Sequence, residues 1–162
     1  MTGRANFQTA SDVRLLCDEM LKGLARWLRT AGYDVEMEPD GTADRLLIER
    51  ALEEERLLLT RDRTLLEIRH AMRVVVLLEG NDLEGLAREV TQKLGIDWLL
   101  NPFSRCSLCN TLLIETERPA DFPPDIEQAF ICPACDKYYW QGGHVERMRH
   151  RLERWQGEFA EN

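Results

Sequence analysis

The chain has 162 residues, 44% of them hydrophobic, which is enough for one α/β domain and a small appendix. A net charge of −8 excludes a protein that coats nucleic acid through bulk electrostatics, because nonspecific affinity comes from Lys and Arg neutralising phosphates. It does not exclude an enzyme that touches nucleic acid locally, since clustered catalytic carboxylates themselves push the total negative. No run approaches the ~18 apolar residues of a membrane span and the N-terminus lacks the apolar centre of a signal peptide, so the expectation is a cytoplasmic protein with no membrane contact.

Residues 1–11 carry little apolar pattern and read as a mobile tail. Val13 to Cys17 is a short apolar run that predicts a buried first strand, ended by Asp18. From Glu19 to Ala31 the apolar residues recur at helical spacing, and Gly32 is the expected stop. Tyr33 to Glu36 predicts a second strand, and Pro39-Asp40-Gly41 a turn. Asp44 to Glu55 is again helical, Arg56 to Thr60 a third strand, Thr64 to Ala71 a short helix, and Val74 to Leu78 the plainest strand of all. Asp82 caps a helix running to about Leu94, with Gly95 as its stop. Strands alternating with helices predict an α/β fold with a small parallel sheet flanked by helices.

After Trp98 the composition changes. Cys106-x-x-Cys109 and Cys132-x-x-Cys135 flank a loop-like segment that contains Pro119, Pro123 and Pro124. Two Cys pairs separated by 22 residues fit a tetrahedral site in which four thiolates hold one structural Zn²⁺. Cys17 stands apart in its strand as a small apolar residue. Thr111 to Glu115 and Lys137 to Trp140 are candidate ribbon strands, and Val145 to Trp155 a closing helix. The division predicted is residues 12–97 for the α/β domain and 98–157 for the ribbon with its closing helix.

In an open α/β sheet, chemistry gathers at the carboxyl ends of parallel strands. Asp18 and Asp62 each follow an apolar strand directly, and Asp44 opens the helix between them. Each of the three has an ordinary reading as a helix N-cap. Their joint reading is a cation site, because like charges brought close together are costly unless a cation or proton lies between them. Converging carboxylates suit Mg²⁺ or Mn²⁺ and metal-assisted phosphodiester hydrolysis. Lys22, one helical turn beyond Asp18, and Arg61 and Arg63, either side of Asp62, are then candidates to meet phosphate, against the alternative of a solvated surface. Tyr138, Tyr139 and Trp140 either stack bases or form the ribbon's own small core. His144 contacts phosphate, helps shape the substrate entrance or only packs in the turn. Arg147, Arg149, His150, Arg151 and Arg154 make the last helix the most basic stretch, a candidate contact for an RNA backbone.

The run from Asp18 through Gly23-Leu24-Ala25-Arg26-Trp27-Leu28-Arg29 to Gly32-Tyr33-Asp34-Val35 resembles the opening of the Mut-seven C-terminal (Mut7-C) RNase domain family, a branch of the PIN-like nucleases. Asp44 through Leu59-Thr60-Arg61-Asp62 is similar to the later PIN signature. Cys106-x-x-Cys109-Asn110, Cys132-x-x-Cys135 and Tyr139-Trp140-Gln141-Gly142-Gly143-His144 resemble that family's zinc ribbon. The resemblance implies a PIN-like fold and a metal-dependent endoribonuclease that cuts RNA to leave a 5′-phosphate and a 3′-hydroxyl. Asp18, Asp44 and Asp62 would be its metal ligands. PIN nucleases commonly carry a further acid between the first and third; Glu19, Glu36 and Glu38 are the local acids here, and none stands at a motif position, so one firmly held metal is expected. The alternative is a non-catalytic RNA- or ribosome-associated zinc-ribbon adaptor that keeps the fold with a weakened acidic site.

Overall fold

The computed structural model describes residues 10–160. The expected tail falls mostly on residues 1–9, outside the described residues; Ala10–Asp12 forms a 3-10 turn that leads into β1. The first part of the chain then runs β1 (Arg14–Cys17), α1 (Lys22–Ala31), β2 (Asp34–Met37), α2 (Asp44–Glu53), β3 (Leu57–Thr60), β4 (Val75–Leu77) and α3 (Leu83–Leu94). The strands lie in the order β2-β1-β3-β4, and every pair is parallel. This is the parallel sheet flanked by helices that the sequence predicts.

Alternation along the strands divides the core between the two faces of the sheet. Leu15, Cys17 and Leu59 pack with α1 and α3, while Leu16 and Leu58 pack with Leu47, Ile48 and Ala51 of α2. Each fully buried Leu is worth about 1.5–3 kcal/mol of transfer free energy. α1 ends at Gly32 with φ 108°, where a Cβ would lie 2.6 Å from the Asn101 carbonyl oxygen, so only glycine fits. Asp82 caps α3 by accepting the Gly85 N–H, and Gly95 ends that helix in the left-handed conformation.

Two stretches depart from the sequence reading. Glu19–Leu21 is a 3-10 turn, so α1 proper begins at Lys22. The helix expected over Thr64–Ala71 is broken into 3-10 turns at Arg63–Glu67 and Ala71–Arg73, because Ile68 between them is extended and His70 is left-handed at φ 67°.

Downstream, β5 (Ile114–Thr116), β6 (Ala129–Ile131) and β7 (Tyr138–Trp140) form a three-stranded antiparallel sheet in that order, followed by α4 (Gly143–Phe159). β6 is the strand that sequence patterning missed: three residues behind a proline-rich loop carry too little periodicity. α4 turns back onto the α/β core, where Leu152, Trp155 and Phe159 join Leu24 and Leu28. Trp155 lies edge-on to Trp27 and Trp98, with centroids 5.2 and 4.7 Å away, and its indole N–H donates to Glu84 Oε2 at 2.8 Å.

Candidate active site and zinc ribbon

β1 and β3 are neighbours in the sheet, so the residues that follow them emerge side by side at its carboxyl edge. Asp18 follows β1 and Asp62 lies two residues past the end of β3. α2 starts at the same edge, which brings Asp44 to them. The three line one pocket together with Glu19, Met20, Glu38, Pro39, Thr42, Leu47 and Leu65.

The three carboxylates are held differently. Asp18 is buried; its Oδ1 accepts the Met20 N–H at 3.0 Å and its Oδ2 accepts the Thr60 hydroxyl. Thr60 Oγ1 in turn accepts the Asp62 N–H at 3.0 Å, so one buried hydroxyl ties the two acids together. Burial pushes the Asp18 carboxyl above its ordinary value, the hydrogen bonds from Thr60 and Met20 oppose this, and the charges of Asp62 and Glu19 add to it. Asp62 accepts the hydroxyl and the N–H of Thr64, at 2.7 and 2.9 Å, and these hold it below the usual carboxylate range. Asp18 and Asp62 are therefore caps as well as pocket residues. Asp44 is not a cap: it is the first residue of α2, it is exposed, and its carboxylate has no hydrogen-bond or ion-pair partner among the described residues.

None of the candidate phosphate-contacting residues lines this pocket. Lys22 reaches Asp40 at 2.8 Å, beside the Glu38–Pro39 wall. Arg61 contacts Asn81 at 3.3 Å, and Arg63 pairs with Glu79. His144 and Arg147 are exposed in the first turns of α4, and Arg151 lies over the rings of Trp27 and Trp155, 5.1 and 5.8 Å from their centroids.

The cysteines converge much more tightly. The Sγ atoms of Cys106, Cys109, Cys132 and Cys135 all lie within 4.8 Å of one another, and this quartet can hold a zinc ion. Among the described residues it is the only group of three or more potential metal ligands drawn so close. The neighbouring Cys109 sulfur pushes the Cys135 thiol up to about 12, an effect that a cation bound among the sulfurs would oppose. Cys17 is wholly buried, and that burial raises its pKa. Tyr138 and Trp140 pack on Phe122, with centroids 5.4 and 4.7 Å away, but both rings remain exposed. The half-buried Tyr139 places its hydroxyl 3.0 Å from Cys106 Sγ; the aromatic run is thus a partly open cluster and not the buried core that is one of its two expected readings.

The model of the Mut7-C RNAse domain family matches residues 13–152, most of the chain and both of these sites. The chain belongs to the Mut7-C RNAse domain family. Its function class is accordingly that of an RNase, a nuclease whose substrate is RNA. No curated protein and no solved structure matches the chain. No helix among the described residues is long and apolar enough to cross a membrane.

Within this Mut7-C domain sequence reasoning passed over Thr60, buried beneath the pocket, and gave Glu38 and Glu19, which line it, no part in the site. Thr60 links Asp18 to Asp62, and its signal was its place at the end of β3, two residues before the acid. Glu38 follows β2 as Asp18 follows β1, so the rule that singled out Asp18 also points to it. Its carboxylate is held by Arg50 at 2.6 Å. Glu19 closes the same wall by accepting the Gly41 N–H at 2.8 Å.

Proposed function

We propose that the chain is a divalent-metal-dependent endoribonuclease that hydrolyses RNA phosphodiester bonds, leaving a 5′-phosphate and a 3′-hydroxyl. The observation that carries this reading is that Asp18, Asp44 and Asp62 line one pocket at the carboxyl edge of a parallel sheet, in a chain of an RNase family. The pocket offers only oxygen donors from its acids, the chemistry that Mg²⁺ or Mn²⁺ prefers. A cation held by Asp18, Asp44 and Asp62 would activate water and offset the charge that develops on the phosphate.

Each side chain has its own part. Asp18 is kept in place by Thr60 and Met20 and is reluctant to ionise while no opposing charge faces it. Asp62 is held ionised by Thr64, and Asp44 is free to turn into the pocket. Lys22, Arg61 and Arg63 would meet the RNA phosphates by leaving exposed partners, which costs little because surface ion pairs are worth about 0–1 kcal/mol. His144, Arg147 and Arg151 would contact the backbone further along, from α4. The ribbon, residues 98–157, would be the RNA-holding part beside the nuclease part at 12–97, in a cytoplasmic enzyme.

The test is cleavage of a labelled RNA with single-stranded and hairpin segments by zinc-loaded protein with Mn²⁺, beside Asp18→Asn and Asp62→Asn. The wild type should cut, EDTA should stop it, and both variants should fail while remaining folded. Equal cleavage by all three proteins would overturn the proposal. RNA binding without cleavage by any of them would favour the adaptor.

A further inference from the structure

β2 is an edge strand, and Val35 at its middle turns both its N–H and its C=O away from β1, toward a side where no strand follows. Such an edge is a liability unless something covers it. Here two side chains stand in for the missing strand. Asn110 Oδ1 accepts the Val35 N–H at 2.9 Å, and Arg29 Nε donates to the Val35 carbonyl at 2.7 Å. Asn110 Nδ2 also donates to Asp34 Oδ1 at 2.7 Å and to Glu36 Oε1 at 3.0 Å. Both residues are 4% exposed.

The same two side chains are tied to the first cysteine knuckle. Asn110 directly follows Cys109, sits in the left-handed conformation at φ 74°, and donates its own N–H to the Cys106 carbonyl at 2.9 Å. Arg29 Nη1 donates to the carbonyls of Ser107 and Leu108, at 3.2 and 3.0 Å, which are the two residues between the cysteines. Arg29 is a buried guanidinium with no carboxylate at ion-pair distance among the described residues, an expensive arrangement unless negative charge lies near it. Burial lowers the Arg29 pKa, and the charge of Glu36 opposes this. Four thiolates around one Zn²⁺ carry a net charge of about −2, which is the compensation Arg29 otherwise lacks.

We propose that the first knuckle is a metal-set clasp on the sheet edge, with Asn110 and Arg29 as positioning residues, so that zinc occupancy of the ribbon and the seating of β2 are one equilibrium. Zinc bound through Cys106 and Cys109 fixes the turn that presents Asn110 and the two carbonyls. By reciprocity, the contacts to β2 tighten the zinc. The consequence reaches the acidic pocket: Arg50 bridges Glu36, 3.5 Å away, and Glu38, 2.6 Å away, and Glu38 lines that pocket. The ribbon's metal thereby sets where that carboxylate stands.

Two measurements on the full chain test this without using cleavage, so their failure is separable from failure of the nuclease reading. The first is hydrogen exchange of the Val35 amide in zinc-loaded and chelator-stripped protein, with the Leu86–Val90 amides of α3 as the internal reference. Stripping should speed exchange at Val35 at least tenfold and leave α3 unchanged; equal protection of Val35 in both forms would overturn the clasp. The second is competition for zinc by a chelator in wild type, Asn110→Ala and Arg29→Lys, all loaded and folded. Asn110→Ala should surrender zinc at least tenfold more readily, and Arg29→Lys, which keeps the charge and loses the fork, by an intermediate amount. Retention of zinc by both variants at wild-type strength would overturn the clasp even if the stripped chain unfolds as a whole.

Discussion

The cysteine quartet, which can hold a zinc ion, and the carboxylate pocket, for which we propose a divalent cation, are built in opposite ways. The quartet draws four soft donors within 4.8 Å from two tight turns, which closes the coordination sphere. The pocket spreads hard oxygen donors around an open wall, with Asp18 buried, Asp62 half-buried and Asp44 exposed. A closed sphere suits a metal whose work is to hold the fold; an open one leaves room for water and a phosphate. The difference also appears in how each acid is constrained. Asp18 is destabilised as a charge by its burial, a cost that a cation in the proposed site would offset.

The comparison can be broken most severely at the thiolates. Cys132→Ser should cost the ribbon its metal and its fold, because structural zinc contributes on the order of 10 kcal/mol of binding free energy that is also folding free energy. Limited proteolysis should then cut between β5 and β6, with zinc content falling to zero; an uncut ribbon would mean that the sheet stands without metal.

Changes at the carboxylates should act on activity and spare the fold. Asp62→Asn is expected to slow cleavage about a hundredfold, ~2.7 kcal/mol in the barrier, with zinc content and melting temperature near wild type. Thr60→Val removes the hydroxyl shared by Asp18 and the Asp62 N–H and should slow cleavage by about tenfold, ~1.4 kcal/mol. It should also move the acid limb of the pH–rate profile upward. The Thr60 hydrogen bond lowers the Asp18 pKa, so its loss raises that pKa and a higher pH is needed to ionise the carboxyl. An unmoved limb would show that Asp18 is not the group that titrates.

The smallest effect is on stability, and its sign is informative. The Asp18 pKa is raised in the fold, so the unfolded chain gives up this proton more readily. At any pH above the ordinary carboxyl value, ionisation therefore favours unfolding. That cost grows as pH rises from the ordinary value to the folded one, and vanishes below the ordinary value. With divalent ions chelated, Asp18→Asn should melt slightly higher than wild type at neutral pH, and the gap should close in acid. A variant that is less stable at neutral pH would contradict this reading of the pocket.

Much of this was legible in the sequence because it is local. An apolar run ending in Asp, a glycine at a helix end and paired Cys-x-x-Cys turns are each fixed by a few neighbouring residues, and β1, β3, α1 and the quartet follow from them. What was not legible depends on contacts distant in the chain. Pairing with β5 and β7 makes Ala129–Ile131 a strand, and the docking of Trp155 against Trp27 and Trp98 brings α4 back to the core. Asp44 shows the same limit within the site. Its sequence position matches that of a cap as well as Asp18's does, yet only the structure separates it, as the carboxylate with no hydrogen bond to its own helix.

The most direct measurement of the central claim is cleavage of labelled RNA as a function of added Mn²⁺, after removal of loosely held ions, with zinc content followed in the same samples. Activity should rise from nothing with Mn²⁺ while zinc stays at about one ion per chain, and Asp62→Asn should stay about a hundredfold below wild type across the titration. Cleavage that ignores Mn²⁺, or follows zinc content instead, would contradict the assignment of chemistry to the carboxylates and structure to the cysteines.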